Sequence, residues 1–299
     1  MVAVSNGRLI KDLIADERIL ILPGVYDGYS MRLVERHDFQ AAFVTGAGLA
    51  ESRFGFPDVG LIGFREVFDG AATIASLTQI PLLVDADTGY GNAVNVHFTV
   101  EAFERIGVGG IVIEDQRWPK RCGHIAGNEL ESADEMVKKV RSAINARRDS
   151  NFVIVARTDA ASTLGVKEAI RRANLYSDAG ADLLFADALR SQQDIEQFVR
   201  EVRGPVCLNM GFGIRARPTT PLVSAAQLEA MGAAVVLYPR LLTAAAIKGM
   251  EAAISVFQAS LTSREILDRD DLAVSFDDLN NLIGLPRIHE LEAAYMVEP

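Results

Sequence analysis

Eight short apolar runs recur along this chain, and their spacing constrains its fold more than any other feature. The runs lie near Ile19, Phe43, Val84, Ile113, Val155, Phe185, Val206 and Val236. Each is almost continuously hydrophobic, as expected for a strand that is buried on both faces of a parallel sheet. Amphipathic stretches of helical length separate the runs, for example at residues 132–148. A strand and a helix repeated eight times close most simply into a (β/α)8 barrel of the TIM type, which is an α/β fold.

The alternative arrangement of such strands is an open, doubly wound sheet. We disfavour it because no G-x-G-x-x-G motif follows the first strand. The barrel is predicted to span residues 1–260, and residues 261–299 form a C-terminal extension with the pattern of two or three helices. These helices are surplus to an eightfold barrel. They either cap their own subunit or form an arm that packs on a neighbouring subunit.

The charge and the cysteine content exclude several classes of protein. The formal net charge is −10 and no segment is strongly basic, so a general nucleic-acid surface is not expected. The sequence indicates no apolar run long enough to cross a bilayer, and its first residues lack the features of a signal peptide. With only two cysteines, a disulfide scaffold is excluded and a cytoplasmic protein is expected. One of them, Cys207, lies within an apolar run and is predicted to be an inert core residue.

Acidic residues follow the third and fourth runs, where the carboxyl ends of barrel strands form the active site. Asp85 and Asp87 are separated by one residue, so on a strand they point the same way, and Glu114 ends the next run. Three buried carboxylates repel one another, and a divalent ion among them removes that conflict. We predict Mg²⁺, with Mn²⁺ as an alternative ion, and place Asp58 in its outer shell. The alternative is that some of these carboxylates cap helices or pair with Arg157.

A second group of candidate residues lies in the loop after the fourth run. Lys120, Arg121 and His124 surround Cys122 in the sequence. Such cations lower the pKa of a thiol and make it a usable proton donor or base near neutral pH. Gly123 supplies a flexible joint. We therefore predict a mobile catalytic loop, the alternative being an ordinary surface loop with a chance cysteine.

Four motifs, VDADTGYG, IEDQ, KRCGH and VARTDA, occur in this order within residues 22–239. Together they resemble the isocitrate lyase and phosphoenolpyruvate mutase superfamily. The resemblance implies a Mg²⁺-dependent (β/α)8 barrel, typically a homotetramer with a swapped C-terminal helix. It also implies that Asp85 and Asp87 hold the metal, whereas Asp58 and Glu114 reach it partly through water.

A substrate site follows from the resemblance and from the polar residues at the strand ends. Backbone donors of the segment after the second run would contact a substrate carboxylate, and the arginine after the fifth run would bind a carboxylate. Polar residues also follow the sixth and seventh runs. The predicted substrate contacts are Thr45, Gly46, Ala47, Arg157, Asp187 and Asn209.

The loop with Cys122 resembles the catalytic lid of the superfamily. Cys122 is implied to be the general acid, with Lys120, Gly123 and His124 beside it. In the implied retro-aldol or retro-Claisen cleavage, the metal chelates a 2-hydroxy or 2-oxo carboxylate and a base removes the hydroxyl proton. The fragment that leaves as an enolate is protonated by Cys122 under the closed lid. Phosphoenolpyruvate mutases proper lack C-G-H here, so the chain is predicted to be a carbon–carbon lyase.

The size and the lid resemble the 2-methylisocitrate lyase, 2,3-dimethylmalate lyase and oxaloacetate hydrolase group. The predicted reaction cleaves a 2-hydroxy di- or tricarboxylate to a 2-oxo acid and a carboxylate. Oxaloacetate hydrolysis to oxalate and acetate, and P–C bond chemistry on a phosphonate, are alternatives. Two departures affect the substrate: Asp187 stands where many relatives carry glutamate, and the loop after the seventh run adds Arg215 and Arg217. These arginines either favour a substrate with an additional negative group or point to solvent.

Overall fold

Eight parallel strands close into a barrel in which each strand pairs with its neighbours in the sequence. The computed structural model describes residues 4–211, 219–263 and 267–296. The last strand pairs with the first, with Leu20 opposite Val235. The strands are β1 Leu20–Val25, β2 Ala42–Val44, β3 Leu82–Asp85, β4 Gly110–Glu114, β5 Val153–Thr158, β6 Leu183–Ala186, β7 Val206–Asn209 and β8 Val235–Tyr238. The predicted (β/α)8 barrel is confirmed.

Helices connect the strands and surround the barrel. They are α1 Asn6–Ile14, α2 Gly28–Arg36, α3 Gly46–Phe54, α4 Phe64–Ala75, α5 Ala93–Arg105, α6 Ala133–Ala146, α7 Ala160–Leu164, α8 Val166–Asp178, α9 Gln192–Glu201, α10 Ala225–Met231, α11 Leu241–Ser260, α12 Phe276–Ile283 and α13 Leu285–Tyr295. The helix predicted within residues 132–148 is α6, which begins with a capping box between Ser132 and Glu135.

The core has two apolar layers, because side chains alternate between the two faces of each strand. In β5, Val153 and Val155 belong to the layer inside the barrel, whereas Ile154 and Ala156 belong to the layer between strands and helices. Helix α1 contributes the completely buried Ile10 to the inner layer. Polar side chains at the carboxyl ends of the strands are therefore held at the mouth of a packed barrel, on rigid elements.

Helix α11 differs from the other barrel helices in its exposure. Among its described residues only Thr243 is buried, and Ile247, Met250, Ile254 and Phe257 are each more than half exposed. By length and composition, Leu241–Ser260 meets the criterion for a helix that crosses a membrane, and 6% of it is buried. The expectation that no apolar segment is long enough was therefore wrong. The signal was missed because alanines and two charged residues dilute its apolar character.

Two helices, α12 and α13, lie in the predicted C-terminal extension, and neither has a buried residue. Helix α12 contacts α2 of the same chain. Helix α11 ends at Ser260, next to the predicted boundary between barrel and extension. The division of the chain into these two parts stays a prediction.

Candidate active site

A small cavity lies at the mouth of the barrel, and most of the predicted site residues line it. Its volume is about 30 Å³, which is room for about two water molecules. The predicted residues that line it are Thr45, Ala47, Asp58, Asp85, Cys122, His124, Arg157, Asp187 and Asn209. Arg215 and Arg217 lie outside the described residues, so their predicted contact with substrate is not addressed by the structure.

Asp85 and Asp87 approach the mouth through a turn, not along a strand. Strand β3 ends at Asp85, and Asp87 has a left-handed backbone with φ of 48°. The amide of Asp87 donates to Asp85 Oδ1 over 3.2 Å. The turn is held from outside by Lys139, which donates to the Thr88 carbonyl over 3.1 Å, and by Thr99, which donates to the Gly89 carbonyl over 3.2 Å. A turn, and not strand periodicity, therefore brings the two residues together, and of the two Asp85 is the one that lines the cavity.

Lys120 is the counter-ion of the acidic cluster. Its Nζ lies 2.5 Å from Asp58 Oδ1 and 2.8 Å from Asp87 Oδ1, and the lysine is buried. Burial raises the pKa of Asp58, but the charge and hydrogen bond of Lys120, together with the charges of Arg240 and Arg157, bring this pKa below its ordinary value. For Asp87, burial dominates and raises the pKa to about 6. Lys120, which lies near the Cys122 thiol in the sequence, therefore stabilises the carboxylates of Asp58 and Asp87 instead.

The acidic residues fit a hydrated Mg²⁺ better than a cage of direct ligands. Among the described residues, no three Asp, Glu, His or Cys side chains gather closely enough to hold an ion by themselves. Mg²⁺ keeps several waters and needs only one or two carboxylates. Glu114 Oε1 is buried without a hydrogen-bond partner among the described residues, so an acceptor is available to such a water. This donor set suits Asp85 and Asp87 as direct ligands.

Arg157 joins three carboxylates at the ends of β4, β5 and β6. It makes two hydrogen bonds with Asp159, of 2.9 and 2.8 Å, and one of 2.8 Å with Asp187. Its Nε also lies 3.1 Å from Glu114 Oε2. Burial raises the pKa of Glu114 well above its ordinary value, and Arg157 offsets this only in part. The alternative in which a metal-site carboxylate pairs with Arg157 therefore holds for Glu114.

Cys122 is a buried residue of the loop that follows β4. Its amide donates to the Asp58 carbonyl over 2.9 Å, which holds the lid over the cavity. Burial raises the pKa of the thiol, and the charge of Arg240 only partly offsets it. The predicted lowering of this pKa was wrong, because Lys120 pairs with carboxylates and His124 contacts Thr219. A neutral thiol suits proton donation.

Thr45, Gly46 and Ala47 form the start of α3 beside Asp85. Thr45 caps the helix by accepting from the Gly48 amide over 3.2 Å. The first amides of a helix have no acceptor within the helix and favour anions. A Cβ on Gly46 would lie 3.1 Å from Asp85 Oδ2, so the backbone approaches this carboxylate closely. The arrangement agrees with backbone donors to a bound carboxylate.

The family described as phosphoenolpyruvate phosphomutase matches the chain over residues 10–257. The chain belongs to the phosphoenolpyruvate mutase/isocitrate lyase superfamily. It is 36% identical to the 2,3-dimethylmalate lyase of Eubacterium barkeri, over 98% of this chain and 99% of that protein. It is 39% identical to a 2-methylisocitrate lyase of Aeropyrum pernix, over 91% of this chain and 86% of that protein. The chain is thus an enzyme of the carbon–carbon lyase type.

Among solved structures, an oxaloacetate acetylhydrolase in complex with 3,3-difluorooxalacetate superposes with a TM-score of 0.90. The identity is 30%, and the alignment covers 98% of each chain. Members of the superfamily are generally dependent on a divalent metal. These comparisons confirm the resemblance that the motifs indicated.

Arg240 is a cavity residue that the sequence analysis did not predict. It follows β8 and lines the cavity. It donates to Glu51 over 2.6 Å and to the Cys122 sulfur over 3.4 Å. The signal was present, because the same search for polar residues after each strand finds it after β8.

Asp187 is the common partner of Asn209 and His124, two further predicted residues. Asn209 donates to its Oδ1 over 3.0 Å, and His124 Nε2 lies 3.9 Å from the same oxygen. Arg157 and these contacts hold the pKa of Asp187 well below its ordinary value despite burial. A Cβ on Gly123 would lie 2.5 Å from Asp187 Oδ2. The lid and the ends of β5, β6 and β7 thus meet at one carboxylate.

Proposed function

We propose that this enzyme cleaves the C2–C3 bond of a 2,3-dimethylmalate-like 2-hydroxy dicarboxylate, giving pyruvate and a short carboxylate. The observation that carries the proposal is the buried thiol of Cys122, which lines the same cavity as Asp85. Burial raises the pKa of this thiol, which favours the neutral, proton-donating form. A proton donor is needed there because the fragment that departs as an enolate must be protonated at carbon. The identity to the dimethylmalate lyase over nearly the whole chain supports the substrate.

Each part of the site has a role in this reaction. Asp85 and Asp87 would hold Mg²⁺, with Mn²⁺ as an alternative and with Asp58 and Glu114 in its water shell. When bound, the ion supplies positive charge to the substrate oxygens. The start of α3 would orient a carboxylate through backbone amides. The loop with Cys122 would act as a lid that keeps water away from the enolate.

The charges of the described cavity favour two substrate carboxylates over three. Arg157 is already surrounded by Glu114, Asp159 and Asp187, and Arg240 is paired with Glu51. The third carboxylate of a 2-methylisocitrate-like substrate would need further cations. Arg215 and Arg217 are the proposed source of these cations. Their joint replacement by alanine would then raise the KM for a substrate with a third carboxylate.

Hydrolysis of oxaloacetate to oxalate and acetate is the second candidate. It is supported by the TM-score of 0.90 with the oxaloacetate acetylhydrolase. P–C bond chemistry on a phosphonate is disfavoured by the C-G-H lid with its buried thiol.

The deciding experiment is a screen of three substrates with MgCl₂: 2,3-dimethylmalate, 2-methylisocitrate and oxaloacetate. Released pyruvate is detected with lactate dehydrogenase, and oxalate by chromatography. We expect the highest kcat/KM for 2,3-dimethylmalate, and loss of turnover in Cys122→Ser with retained metal binding. Oxalate as the main product would favour the second candidate. Phosphonopyruvate is assayed alongside these three substrates, and release of inorganic phosphate from it, without C–C cleavage of the three, would overturn the proposal.

We further propose a cytoplasmic homotetramer in which α11 packs on a second copy of the chain. The exposed apolar residues of α11 lie beside a groove of about 590 Å³ that it forms with α2 and α3. Light scattering of the wild-type protein and of an Ile254→Asp, Phe257→Asp variant tests this. A monomeric wild-type protein that binds lipid vesicles would contradict it.

A further inference from the structure

Asp115 follows the metal-site residue Glu114 but takes no part in the cavity. It is completely buried at the end of β4 and is not among the cavity-lining residues. Its Oδ1 accepts a 2.9 Å hydrogen bond from the amide of Asp159, and its Oδ2 accepts one of 2.7 Å from the Thr158 hydroxyl. Both donors belong to the end of β5. Asp115 thus fixes the exit of β5 relative to β4.

The same carboxylate is anchored to the outer helical layer. Its Oδ2 also accepts from Arg172 Nη1 over 2.9 Å and from the Tyr176 hydroxyl over 2.7 Å, both on α8. Arg172 donates in addition to the Glu131 carbonyl over 3.0 Å, and the Glu131 amide donates to the Asp115 carbonyl over 2.9 Å. Four donors therefore hold one buried side chain, which leaves it little freedom to move.

The connection from this cluster to the cavity runs through Asp159. The backbone of Asp159 is held by Asp115, whereas both its carboxylate oxygens bond to Arg157. Arg157 lines the cavity. A shift of the Asp159 backbone would therefore move the guanidinium that faces the substrate. Side chains that orient a binding group in this way change affinity or activity by roughly 10- to 100-fold when they are replaced.

We propose that Asp115, held by Arg172 and Tyr176, is a positioning residue that sets the place of Arg157 through Asp159. It touches neither substrate nor metal. This inference rests on the proposed function only for the identity of the reaction. The contacts that link Asp115 to Arg157 do not depend on it. A purely structural role predicts lost stability alone, whereas a positioning role predicts weaker binding of a carboxylate ligand as well.

The chain supplies a matched control at the opposite end of β5. Asp182 also accepts from a β5 amide, that of Ile154 over 2.9 Å, and from an arginine, Arg147 over 2.6 Å. It lies at the amino end of the barrel strands, away from the cavity. Asp115→Asn and Asp182→Asn thus each remove a carboxylate charge that meets a β5 amide and an arginine, with only the first next to the site. Asp182 is less buried and also pairs with Lys11 over 2.8 Å.

The test compares Asp115→Asn, Tyr176→Phe, Asp182→Asn and the wild-type protein. Oxalate, a planar dicarboxylate, serves as probe in calorimetry with MgCl₂, next to Tm and the steady-state kinetics of pyruvate release. We expect oxalate affinity and kcat/KM to fall about 10- to 100-fold in Asp115→Asn. Tyr176→Phe should show a smaller loss in the same parameters. Asp182→Asn should lower Tm with unchanged oxalate affinity.

Tyr176→Phe, which removes one donor only, carries the test if Asp115→Asn does not fold. Unchanged oxalate affinity in every folded variant of the cluster, or an equal loss in Asp182→Asn, would overturn the inference. If the wild-type protein binds oxalate but cleaves none of the three substrates, the proposed function fails by itself. The ratio of oxalate affinities then still decides the role of Asp115.

Discussion

Arg240 donates a 3.4 Å hydrogen bond to the sulfur of Cys122, a residue 118 positions away in the sequence. The same guanidinium pairs with Glu51 and lies 3.6 Å from Asp58. One arginine after β8 therefore contacts the loop with Cys122, helix α3 and the loop with Asp58.

Replacing Arg240 by glutamine should lower kcat/KM about 10- to 100-fold, since a hydrogen bond to a charged group contributes roughly 1.5–3 kcal/mol. Steady-state kinetics of pyruvate release measure this. The control is Arg269→Gln, which removes an exposed ion pair with Asp271 in the predicted C-terminal extension. Equal activity of the Arg240 variant and the control would exclude a role for Arg240 in the closed site.

Alkylation by iodoacetamide should be slower at Cys122 than at a cysteine in a short peptide. Burial raises the folded-state pKa of the thiol above its ordinary value, so the thiolate fraction at pH 8 is smaller than in the peptide. Mass spectrometry across a pH series gives the rate. Because the folded state holds this proton more tightly than the unfolded chain, the stability that the proton contributes is present below the ordinary thiol pKa. It is lost as the pH rises through the raised folded-state pKa. Faster reaction than in the peptide would restore the interpretation of an activated thiolate.

Replacing Lys120 by methionine should destabilise the protein in the absence of metal. Asp58 and Asp87 would lose their buried counter-ion, a change that costs about 3–5 kcal/mol. Added Mg²⁺ should recover part of the lost Tm, because it supplies positive charge to the same carboxylates. Thermal unfolding with and without MgCl₂ measures both effects. Lys248→Met, at an exposed pair, is the control and should leave Tm within about 1 °C.

Replacing Gly123 by alanine should lower kcat about 100-fold while the protein stays folded. The new Cβ would lie 2.5 Å from both Asp159 Oδ1 and Asp187 Oδ2, so the lid could not close fully. Kinetics and protease sensitivity of the lid measure the effect, which should include faster cleavage within it. Gly249→Ala is the control, since a Cβ there meets no heavy atom within 4 Å. A fully active Gly123 variant would contradict the closed lid as the reactive state.

The sequence predicted the positions of the chemical groups well, because they follow from local pattern. Apolar runs placed the strands, and the rule that barrel sites lie at strand ends placed Asp85, Glu114 and Asp187 at one mouth. The same rule would have found Arg240 had it been applied after β8. The membrane-length character of α11 was missed because alanine-rich segments are weakly apolar.

What the sequence by itself determined was the alternation of strand and helix and the end of the barrel at which the acids gather. Only the tertiary structure decided which charge each acid meets. Lys120 reaches Asp58 across 62 positions, and Tyr176 reaches Asp115 across 61. Such pairings depend on how loops from different strands are brought together in space, and neighbours in sequence, such as Lys120 and Cys122, therefore mislead. For this reason the Cys122 thiol, whose pKa the sequence was expected to lower, is buried and has a raised pKa.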